Sequence, residues 1–495
     1  MNRDDLIQTR RAGVLMHVTS LPGGAGNGDL GESAHRFVDV IADAGFSVWQ
    51  TLPLCPTGDD LSPYQSPAAN AGNPLLVEIG EAEALAGLDH EAPPARSAEV
   101  RAWRVKRLAE CAAAFSGGGG DEGALAEFEN FCQWESQWLE PYALFATLKS
   151  CNEQRAWWDW PEDVRDYAQL DTDTLKTTCA AQYTAHCFVQ WVFQRQWRRL
   201  RDHAQARGVL LFGDLPIFVS EDSAEVWARP DLFELGPDGR ASRVAGVPPD
   251  YFSATGQRWG NPLYDWSRMA AEDHAWWVHR MGRQFELFDM VRIDHFRGFE
   301  SYWAIPAECE TAMDGSWQSG PGDDLFKSLT GSLGPRPVVA EDLGIITPEV
   351  DALRHRHGLP GMKVLQFAFD GGPGNPYLPH NHDHDYVVYT GTHDNDTTAG
   401  WADSLDAAAR QRVEDYLGAQ GQPLTQALWR AALSSVCALA VTPVQDLLEL
   451  GAGARMNTPG TTEGNWVWRL DDLEALRARA PALRTLNERY GRLPT

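Results

Sequence analysis

Four carboxylates in this chain follow short runs of small or β-branched apolar residues. They are Asp214, Asp294, Glu341 and, four residues beyond its run, Asp394. Apolar runs of this length, bounded by turn residues, are typical of parallel-sheet strands that are covered on both faces. When such a sheet closes into a (β/α)8 barrel, the carboxyl ends of its strands converge on one mouth. The pattern therefore predicts an α/β protein whose barrel mouth is acidic.

Eight strand-like runs recur along the chain, and helical patterns separate many of them. The predicted strands are Val14–Val18, Ser47–Leu52, Val209–Asp214, Phe288–Asp294, Pro337–Glu341, Met362–Phe367, Asp385–Thr390 and Ser435–Val441. The clearest helical patterns are His35–Ala44, Ala270–Phe288, Ala407–Leu417 and Leu424–Leu433. Alternation of strands and helices favours a parallel sheet. Eight strands predict that this sheet closes into a TIM barrel.

Two stretches interrupt the alternation, and we interpret both as insertions between strands of a single catalytic barrel that spans residues 1–495. Residues from about 81 to 203 are helical in pattern and rich in Ala, Trp, Gln and Glu, which predicts a mainly helical subdomain. Residues from about 218 to 288 are predicted to form a loop-rich subdomain that carries a cleft loop at 245–264. Long loops in compact domains are usually functional.

Composition excludes several classes of function. The chain has 495 residues, with 42 basic and 69 acidic ones and a formal net charge of −27. This charge argues against nucleic acid and against anionic membranes as partners, because both bind through cationic residues. The eight cysteines form no C-x-x-C pair, and we interpret them as reduced thiols. The beginning of the sequence lacks a signal peptide, and no apolar run approaches membrane-spanning length, so we expect a cytoplasmic protein.

Paired carboxylates with an arginine are what glycosidic-bond chemistry requires. Retaining enzymes use a carboxylate nucleophile and a separate acid/base carboxyl group roughly 5–5.5 Å away. Arg292 lies two residues before Asp294, on the same side of a strand, where its guanidinium would keep that carboxylate ionised for a nucleophilic role. Glu341 has no basic neighbour in sequence, and Asp342 adds negative charge. We therefore expect a raised pKa and an acid/base role for Glu341.

A third carboxylate beside a histidine completes this set. Asp394, next to His393, would hold sugar hydroxyls and offset the positive charge of an oxocarbenium-like transition state. Each residue also has a structural interpretation. Asp294 with Arg292 could be an ordinary ion pair, Glu341 could cap the next helix, and His393 could be a core residue. The occurrence of four such carboxylates at four strand ends favours the catalytic interpretation.

A metal site is the main rival interpretation of the acidic and histidine residues. His380, His382, Asp383, His384 and Asp385 alternate in a way that suits transition-metal ligation, and His393–Asp396 adds further ligands. The first cluster follows a loop sequence, however, and alternating residues on a loop seldom form a closed site. We predict neither a metal nor a cofactor, and we assign no role to the loop His380–His384.

Beyond these residues, the chain closely resembles the amylomaltases, the 4-α-glucanotransferase family of the α-amylase superfamily, nearly from end to end. The motifs that carry the resemblance are Gly13–His17, Thr19–Pro22, Ser62–Ser66, Asn73–Leu75, Gly213–Ile217, Ala245–Gln257, Trp259–Tyr264, Gln445–Leu448, Asn457–Thr461 and Gly464–Trp466. The resemblance implies a (β/α)8 barrel without a C-terminal β-domain. It also implies an enzyme that transfers α-1,4-glucan segments from a donor maltooligosaccharide to the 4-hydroxyl of an acceptor glucan or glucose. Its substrates would be maltooligosaccharides, amylose and other α-1,4-glucans.

The resemblance also implies a role for each residue of the site. Asp294 would be the nucleophile, Glu341 the acid/base and Asp394 the transition-state stabiliser of a retaining double displacement. The substrate-binding residues that it implies are Ser62, Tyr64, Asp214, Tyr251, Gln257, Trp259, Arg292, Asp370, His393 and Asn465.

Other functions remain compatible with parts of this pattern. An α-glucan hydrolase would use the same three carboxylates, and only its products would distinguish it. A non-catalytic carbohydrate-binding protein would need no acid/base pair, and a metal-dependent phosphoesterase would lose activity on chelation. The Pro- and aromatic-rich loop favours transfer, because it could exclude water and orient a sugar acceptor.

Overall fold

The computed structural model describes residues 9–94, 97–249 and 253–493 of the chain. Within them lie twelve strands: β1 (Arg11–Leu15), β2 (Val48–Gln50), β3 (Leu210–Leu215), β4 (Arg243–Val247), β5 (Gln257–Pro262), β6 (Met290–Ile293), β7 (Ser301–Pro306), β8 (Ser316–Ser319), β9 (Val338–Ala340), β10 (Gly361–Val364), β11 (Tyr386–Tyr389) and β12 (Leu439–Pro443).

Eight of these strands form a parallel sheet in the order β10-β11-β12-β1-β2-β3-β6-β9. The sheet curls until its two edge strands meet, where the Ala340 amide of β9 donates a 2.8 Å hydrogen bond to the carbonyl of Pro360, next to β10. The predicted (β/α)8 barrel is therefore confirmed. Each of the eight predicted runs supplies one barrel strand, with ends that differ by a few residues.

The same residues contain eighteen α-helices. They are Glu32–Asp43, Ile79–Leu85, Ser97–Ala114, Glu122–Trp134, Ser136–Cys151, Glu162–Arg165, Thr172–Thr178, Ala180–Ala206, Ala224–Ala228, Trp266–Ala271, Ala275–Leu287, Gly322–Leu333, Pro348–Arg356, Thr398–Ser404, Ala407–Leu417, Leu424–Ser434, Val444–Leu447 and Glu474–Arg489. The predicted helix Ala270–Phe288 is two helices, because Asp273 and His274 take left-handed conformations with φ of 51° and 56°.

The period of two along each strand determines which side chains face the barrel interior. All eight barrel strands contribute buried apolar side chains to one interior cluster, including Phe212 of β3, Met290 of β6 and Val339 of β9. Two residues further along the same faces, Phe212 is followed by Asp214 and Met290 by Arg292. The alternation that fills the barrel with apolar groups thus carries polar groups to its mouth.

The register between strands places these polar residues side by side. Asp214 of β3 pairs directly with Arg292 of β6, and Ile293 of β6 pairs with Ala340 of β9. Gly213, the residue before Asp214, allows the ring of Phe288 to pack against the backbone of β3. A Cβ atom at position 213 would lie 2.2 Å from that ring. The residues that follow β6 and β9 are Asp294 and Glu341.

A second, antiparallel sheet in the order β5-β4-β7-β8 was not anticipated from the sequence. Two of its strands lie within the stretch Phe218–Leu263, where Pro and Gly obscure the alternation of apolar and polar residues. The sheet carries Gln257 and Trp259 on β5. The division of the chain into a helical and a loop-rich inserted subdomain stays a prediction.

After β12, the described residues 444–493 form helices and loops and include no strand. Among the described residues, no helix is both long enough and apolar enough to cross a membrane.

Candidate active site

Arg292 links two carboxylates at the barrel mouth. Its Nη1 atom lies 2.7 Å from both carboxylate oxygens of Asp214, and its Nη2 atom lies 2.8 Å from Oδ1 of Asp294. Arg292 and Asp214 are both buried. Because Nη1 is shared between the two oxygens of Asp214 and Nη2 faces Asp294, the two carboxylates together orient the guanidinium, and Asp294 lies against a cation that is held from both sides.

Burial dominates the ionisation of Asp294. Its pKa is raised above the usual value because burial disfavours the charged form, while Arg292 acts in the opposite direction and Asp214 and Asp394 add repulsion. From the sequence we expected Arg292 to dominate the ionisation of Asp294, and this expectation was wrong because a local pattern shows neither burial nor distant neighbours.

Glu341 accepts two backbone hydrogen bonds. The amide of His295 donates to Oε2 at 2.7 Å, and the amide of Leu343 donates to Oε1 at 2.8 Å. Burial raises the pKa of Glu341 to about 7, with a further contribution from the negative charge of Asp294, while Arg292 and the two amides act to lower it. Near neutral pH this carboxyl group can therefore both give and accept a proton, which an acid/base catalyst requires.

Asp342 does not cause this shift, contrary to the sequence-based expectation. Its side chain points to the opposite side of the strand, where Oδ1 accepts a 2.7 Å hydrogen bond from the Met362 amide and Oδ2 lies 3.4 Å from Arg354. The helix-cap alternative for Glu341 is also not observed, because the next helix begins at Pro348 and is preceded by Thr347.

Asp394 is more exposed than Asp294, with 46% of its side chain accessible against 31% for Asp294. Its Oδ1 accepts a 2.6 Å hydrogen bond from Nδ2 of Asn457 and lies 3.4 Å from Nε2 of His393. Arg455 donates to the main-chain carbonyl of Asp394 at 2.6 Å. The carboxylate is therefore oriented by a loop that follows β12.

Aromatic rings form one wall of the site. Tyr64 stacks on His393 with ring centroids 5.2 Å apart and an interplanar angle of 14°, and Trp466 lies 5.8 Å from Tyr64. The Tyr64 hydroxyl donates a 2.8 Å hydrogen bond to Asp214. Ser62 accepts a 3.3 Å hydrogen bond from the Tyr64 amide, which places it beside the ring. Apolar ring faces next to carboxylates suit a sugar, which presents both C–H faces and hydroxyl groups.

The strand β5, which lies within the predicted cleft loop, forms another side of the barrel mouth. The Trp259 indole donates a 3.1 Å hydrogen bond to Gln257, and its ring meets His295 edge-on at 4.8 Å. His295 directly follows Asp294, so these contacts bring Trp259 close to the acidic cluster. Tyr251, the third residue predicted on this loop, lies outside the described residues.

Two predicted residues lie further from the acidic cluster. Asp370 is exposed and accepts a 3.0 Å hydrogen bond from Asn375. Asn465 accepts a 2.9 Å hydrogen bond from the Thr458 amide and donates to Thr461, so it braces the loop that also carries Asn457. Neither residue makes a described contact with the three carboxylates, and their proposed roles need a bound glucan.

The histidines of the rival metal interpretation have other partners. His380 contacts the Tyr416 hydroxyl and the Pro373 carbonyl, while His382 contacts the Tyr377 carbonyl and the Cys437 thiol. Across the part of the chain that the structure describes, no group of three or more His, Cys, Asp or Glu side chains is placed to hold a metal ion.

Sequence reasoning missed two residues that shape the site. Asn457 was noted only within a family motif, because nothing local in the sequence connects it with a carboxylate 63 positions away. His295 directly follows Asp294, and its sequence context predicted no role for it. Its backbone is left-handed, with φ of 52°, and its amide donates a hydrogen bond to Glu341.

The barrel and the acidic cluster at its mouth define a (β/α)8-barrel enzyme. Comparisons with known proteins specify the family. The model of the 4-alpha-glucanotransferase family matches residues 16–474. The 4-alpha-glucanotransferase of Thermus thermophilus is 47% identical over 497 residues, which cover 98% of this chain and 99% of the relative. That of Synechocystis is 45% identical over 505 residues, with coverage of 98% and 99%.

A solved structure agrees with these relatives. The amylomaltase from Streptococcus agalactiae in complex with acarbose superimposes with a TM-score of 0.92 at 34% identity, covering 98% of this chain and 99% of that one. The chain belongs to the 4-alpha-glucanotransferase family.

Proposed function

We propose that the enzyme transfers α-1,4-glucan segments from a donor maltooligosaccharide to the 4-hydroxyl of an acceptor glucan or glucose. The observation that carries the proposal is the pairing of Asp294, held by Arg292, with Glu341, whose pKa is raised to about 7. Two carboxyl groups with different environments are what a retaining double displacement uses.

In the first step, Asp294 attacks the anomeric carbon of the donor sugar and forms an ester bond with it. The glycosidic bond breaks, and its oxygen takes a proton from Glu341, so the leaving glucan departs with a free 4-hydroxyl. Asp394 and the anionic surroundings offset the positive charge that develops on the sugar ring. The Arg292 guanidinium stabilises Asp294 as the carboxylate that leaves again in the second step.

In the second step, Glu341 accepts the proton of the acceptor 4-hydroxyl. The acceptor oxygen attacks the anomeric carbon and displaces Asp294, which restores the starting state of both groups. Water and sugar compete for this intermediate. We infer that Trp259 favours the sugar by stacking on the acceptor and limiting access of water.

The relatives support this assignment of substrate. Acarbose is the ligand of the Streptococcus agalactiae amylomaltase, and we infer that maltooligosaccharides, amylose and other α-1,4-glucans occupy the corresponding cleft here. Tyr64, Trp466 and His393 would form the stacking surface for the sugar next to Asp294. The eight cysteines are free thiols, which supports a cytoplasmic location.

Incubation with pure maltotriose tests the proposal. The products are separated by chromatography, while total reducing ends are counted independently. Transfer yields glucose and a ladder of longer maltooligosaccharides at a constant number of reducing ends, because each bond broken is remade. Rising reducing ends without longer chains would show a hydrolase instead. The Asp294→Asn variant serves as the control, and it should form no products.

A further inference from the structure

His295 adopts a backbone conformation that side chains rarely tolerate. Its φ of 52° lies in the left-handed region, which non-glycine residues seldom adopt and where asparagine, aspartate and histidine are the most frequent exceptions. The amide of the same residue donates the 2.7 Å hydrogen bond to Oε2 of Glu341. The next amide, of Phe296, donates to the main-chain carbonyl of Glu341 at 3.1 Å. Left-handed backbone in a non-glycine residue costs free energy and persists where surrounding contacts enforce it.

The imidazole ring of His295 packs against the ring of Trp259 and lies close to Gly298. Its edge-on contact with the Trp259 ring has an interplanar angle of 90°. At Gly298, an added Cβ atom would lie 3.2 Å from Cδ2 of His295 and 2.8 Å from Cδ1 of Ile217. Glycine at 298 therefore lets the imidazole ring lie between its own loop and Trp259.

The ring of His295 brings no charge to the site. Burial lowers its pKa to about 3, and Arg297 contributes in the same direction, so the ring is neutral across the working pH range. The charged or titratable groups that act on Glu341 are Arg292 and Asp294, together with Tyr377, which carries no charge near neutral pH. Any influence of His295 on Glu341 therefore comes from its hydrogen bond and its packing.

We propose that His295 is a positioning residue that fixes the carboxyl group of Glu341 and the ring of Trp259 relative to each other. Its backbone amide orients Glu341 and stabilises the ionised carboxylate, and its ring supports Trp259 at the acceptor side. One residue thereby connects the acid/base group with the surface that we expect to select sugar over water. This inference rests on the proposed function.

Two substitutions at the same position separate the backbone from the ring. Asparagine tolerates the left-handed region, so His295→Asn keeps the amide in place and removes the imidazole ring. Alanine disfavours that region. His295→Ala therefore removes the ring, and we expect it also to shift the backbone at 295 and weaken the hydrogen bond from its amide to Glu341. His295→Gly, which also keeps the left-handed conformation accessible, repeats the first test with no side chain at this position.

The first readout is the basic limb of the pH profile of kcat/KM for maltotriose, which reports the acid form of Glu341 in the free enzyme. Loss of the His295 amide removes a donor that favours the ionised carboxylate, so the pKa of Glu341 rises. In His295→Ala we expect this limb to move to higher pH by about half a unit or more. In His295→Asn and His295→Gly the basic limb should lie at the same pH as in the wild type.

The second readout is the ratio of transfer to hydrolysis, obtained from longer products and new reducing ends. All three variants lack the ring that supports Trp259, so in each we expect this ratio to fall about threefold or more. A change in the ratio together with a fixed pH limb, as expected for His295→Asn, is not the result of a general loss of folded enzyme.

His274→Ala is the matched control. His274 is also left-handed, with φ of 56°, and it is buried at the start of the helix Ala275–Leu287, where it contacts Ser328 rather than any predicted site residue. The control should lower the melting temperature while leaving the limb and the ratio unchanged. If it moved the limb as far as His295→Ala does, general destabilisation would explain the shift and the inference would be overturned.

The inference would also be overturned if the limb and the ratio of all His295 variants matched those of the wild type. This outcome differs from failure of the proposed function, which would appear in the wild type itself as hydrolysis without transfer. Wild-type transfer with an unmoved limb in His295→Ala would contradict only the positioning role of the amide.

Discussion

Asn457 donates a 2.6 Å hydrogen bond from its side-chain amide to Oδ1 of Asp394. The two residues are far apart in sequence, and almost half of the Asp394 side chain is accessible. Without this contact the carboxylate would keep, among its described contacts, only the 3.4 Å contact of Oδ1 with His393. The loop after β12 thus determines the direction in which Asp394 points.

Replacement of Asn457 by Asp should impair catalysis more than replacement by Ala. Asn457→Ala removes one hydrogen bond to a charged group, which we expect to lower kcat about tenfold. Asn457→Asp places a second carboxylate within hydrogen-bond distance of Asp394, and repulsion should lower kcat by roughly a further tenfold. Initial rates of glucose release from maltotriose measure both. Equal rates for the Ala and Asp variants would contradict the orienting role.

Arg292 should be a major determinant of stability. Its removal leaves Asp214 buried without a cation, so Arg292→Met should lower the free energy of unfolding by about 3–5 kcal/mol, measured by urea titration. The double variant Arg292→Met/Asp214→Asn removes the orphaned charge and should recover part of this loss. A double variant less stable than the single one would contradict this explanation.

The raised pKa of Glu341 makes folding stability depend on pH. The folded value of about 7 lies above the ordinary value of 4.5, so the folded state binds this proton more tightly than the unfolded state does. The stability that the group contributes is fully present below pH 4.5 and is lost as pH rises through 7. Relative to the wild type, Glu341→Gln should gain roughly 3 kcal/mol between pH 4.5 and pH 8. Urea titrations of both proteins across this range measure the difference, and a constant difference would contradict the raised pKa.

Trp259 should control the fate of the intermediate rather than its formation. Trp259→Ala removes the stacking surface, so we expect the ratio of transfer to hydrolysis to fall about tenfold. Trp259→Phe keeps an aromatic face and should retain most of the ratio. Product chromatography combined with a count of reducing ends measures the ratio of transfer to hydrolysis. An unchanged ratio in Trp259→Ala would exclude this residue from acceptor selection.

The barrel could be predicted from the sequence because each of its strands is a short, continuous apolar run. The same pattern identified Asp214, Arg292 and Glu341, since the residues at strand ends converge wherever the sheet closes. The predicted ion pair between Arg292 and Asp294 is present in the structure. For these residues, the local sequence pattern is sufficient to predict the position in the fold.

The other features of the fold and the site depend on contacts between distant residues, which no local sequence pattern predicts. The strands β4 and β5 lie among Pro and Gly residues, and they pair with each other while β4 also pairs with the distant β7. Their local pattern alone therefore does not predict a strand. Asp342 was expected to raise the pKa of Glu341, but adjacent residues of a strand point to opposite faces. The orienting contact of Asn457 joins two loops, and only the fold brings them together.

Capture of the covalent intermediate tests the central claim most directly. The Glu341→Gln variant is incubated with α-maltotriosyl fluoride, whose fluoride leaves without help from an acid, while the missing base slows the second step. Digestion and peptide mass spectrometry then locate the attached sugar. The proposed mechanism predicts a maltotriosyl ester on Asp294. Labelling of Asp394 or Asp214 instead, or rapid turnover with no labelled carboxylate, would contradict it.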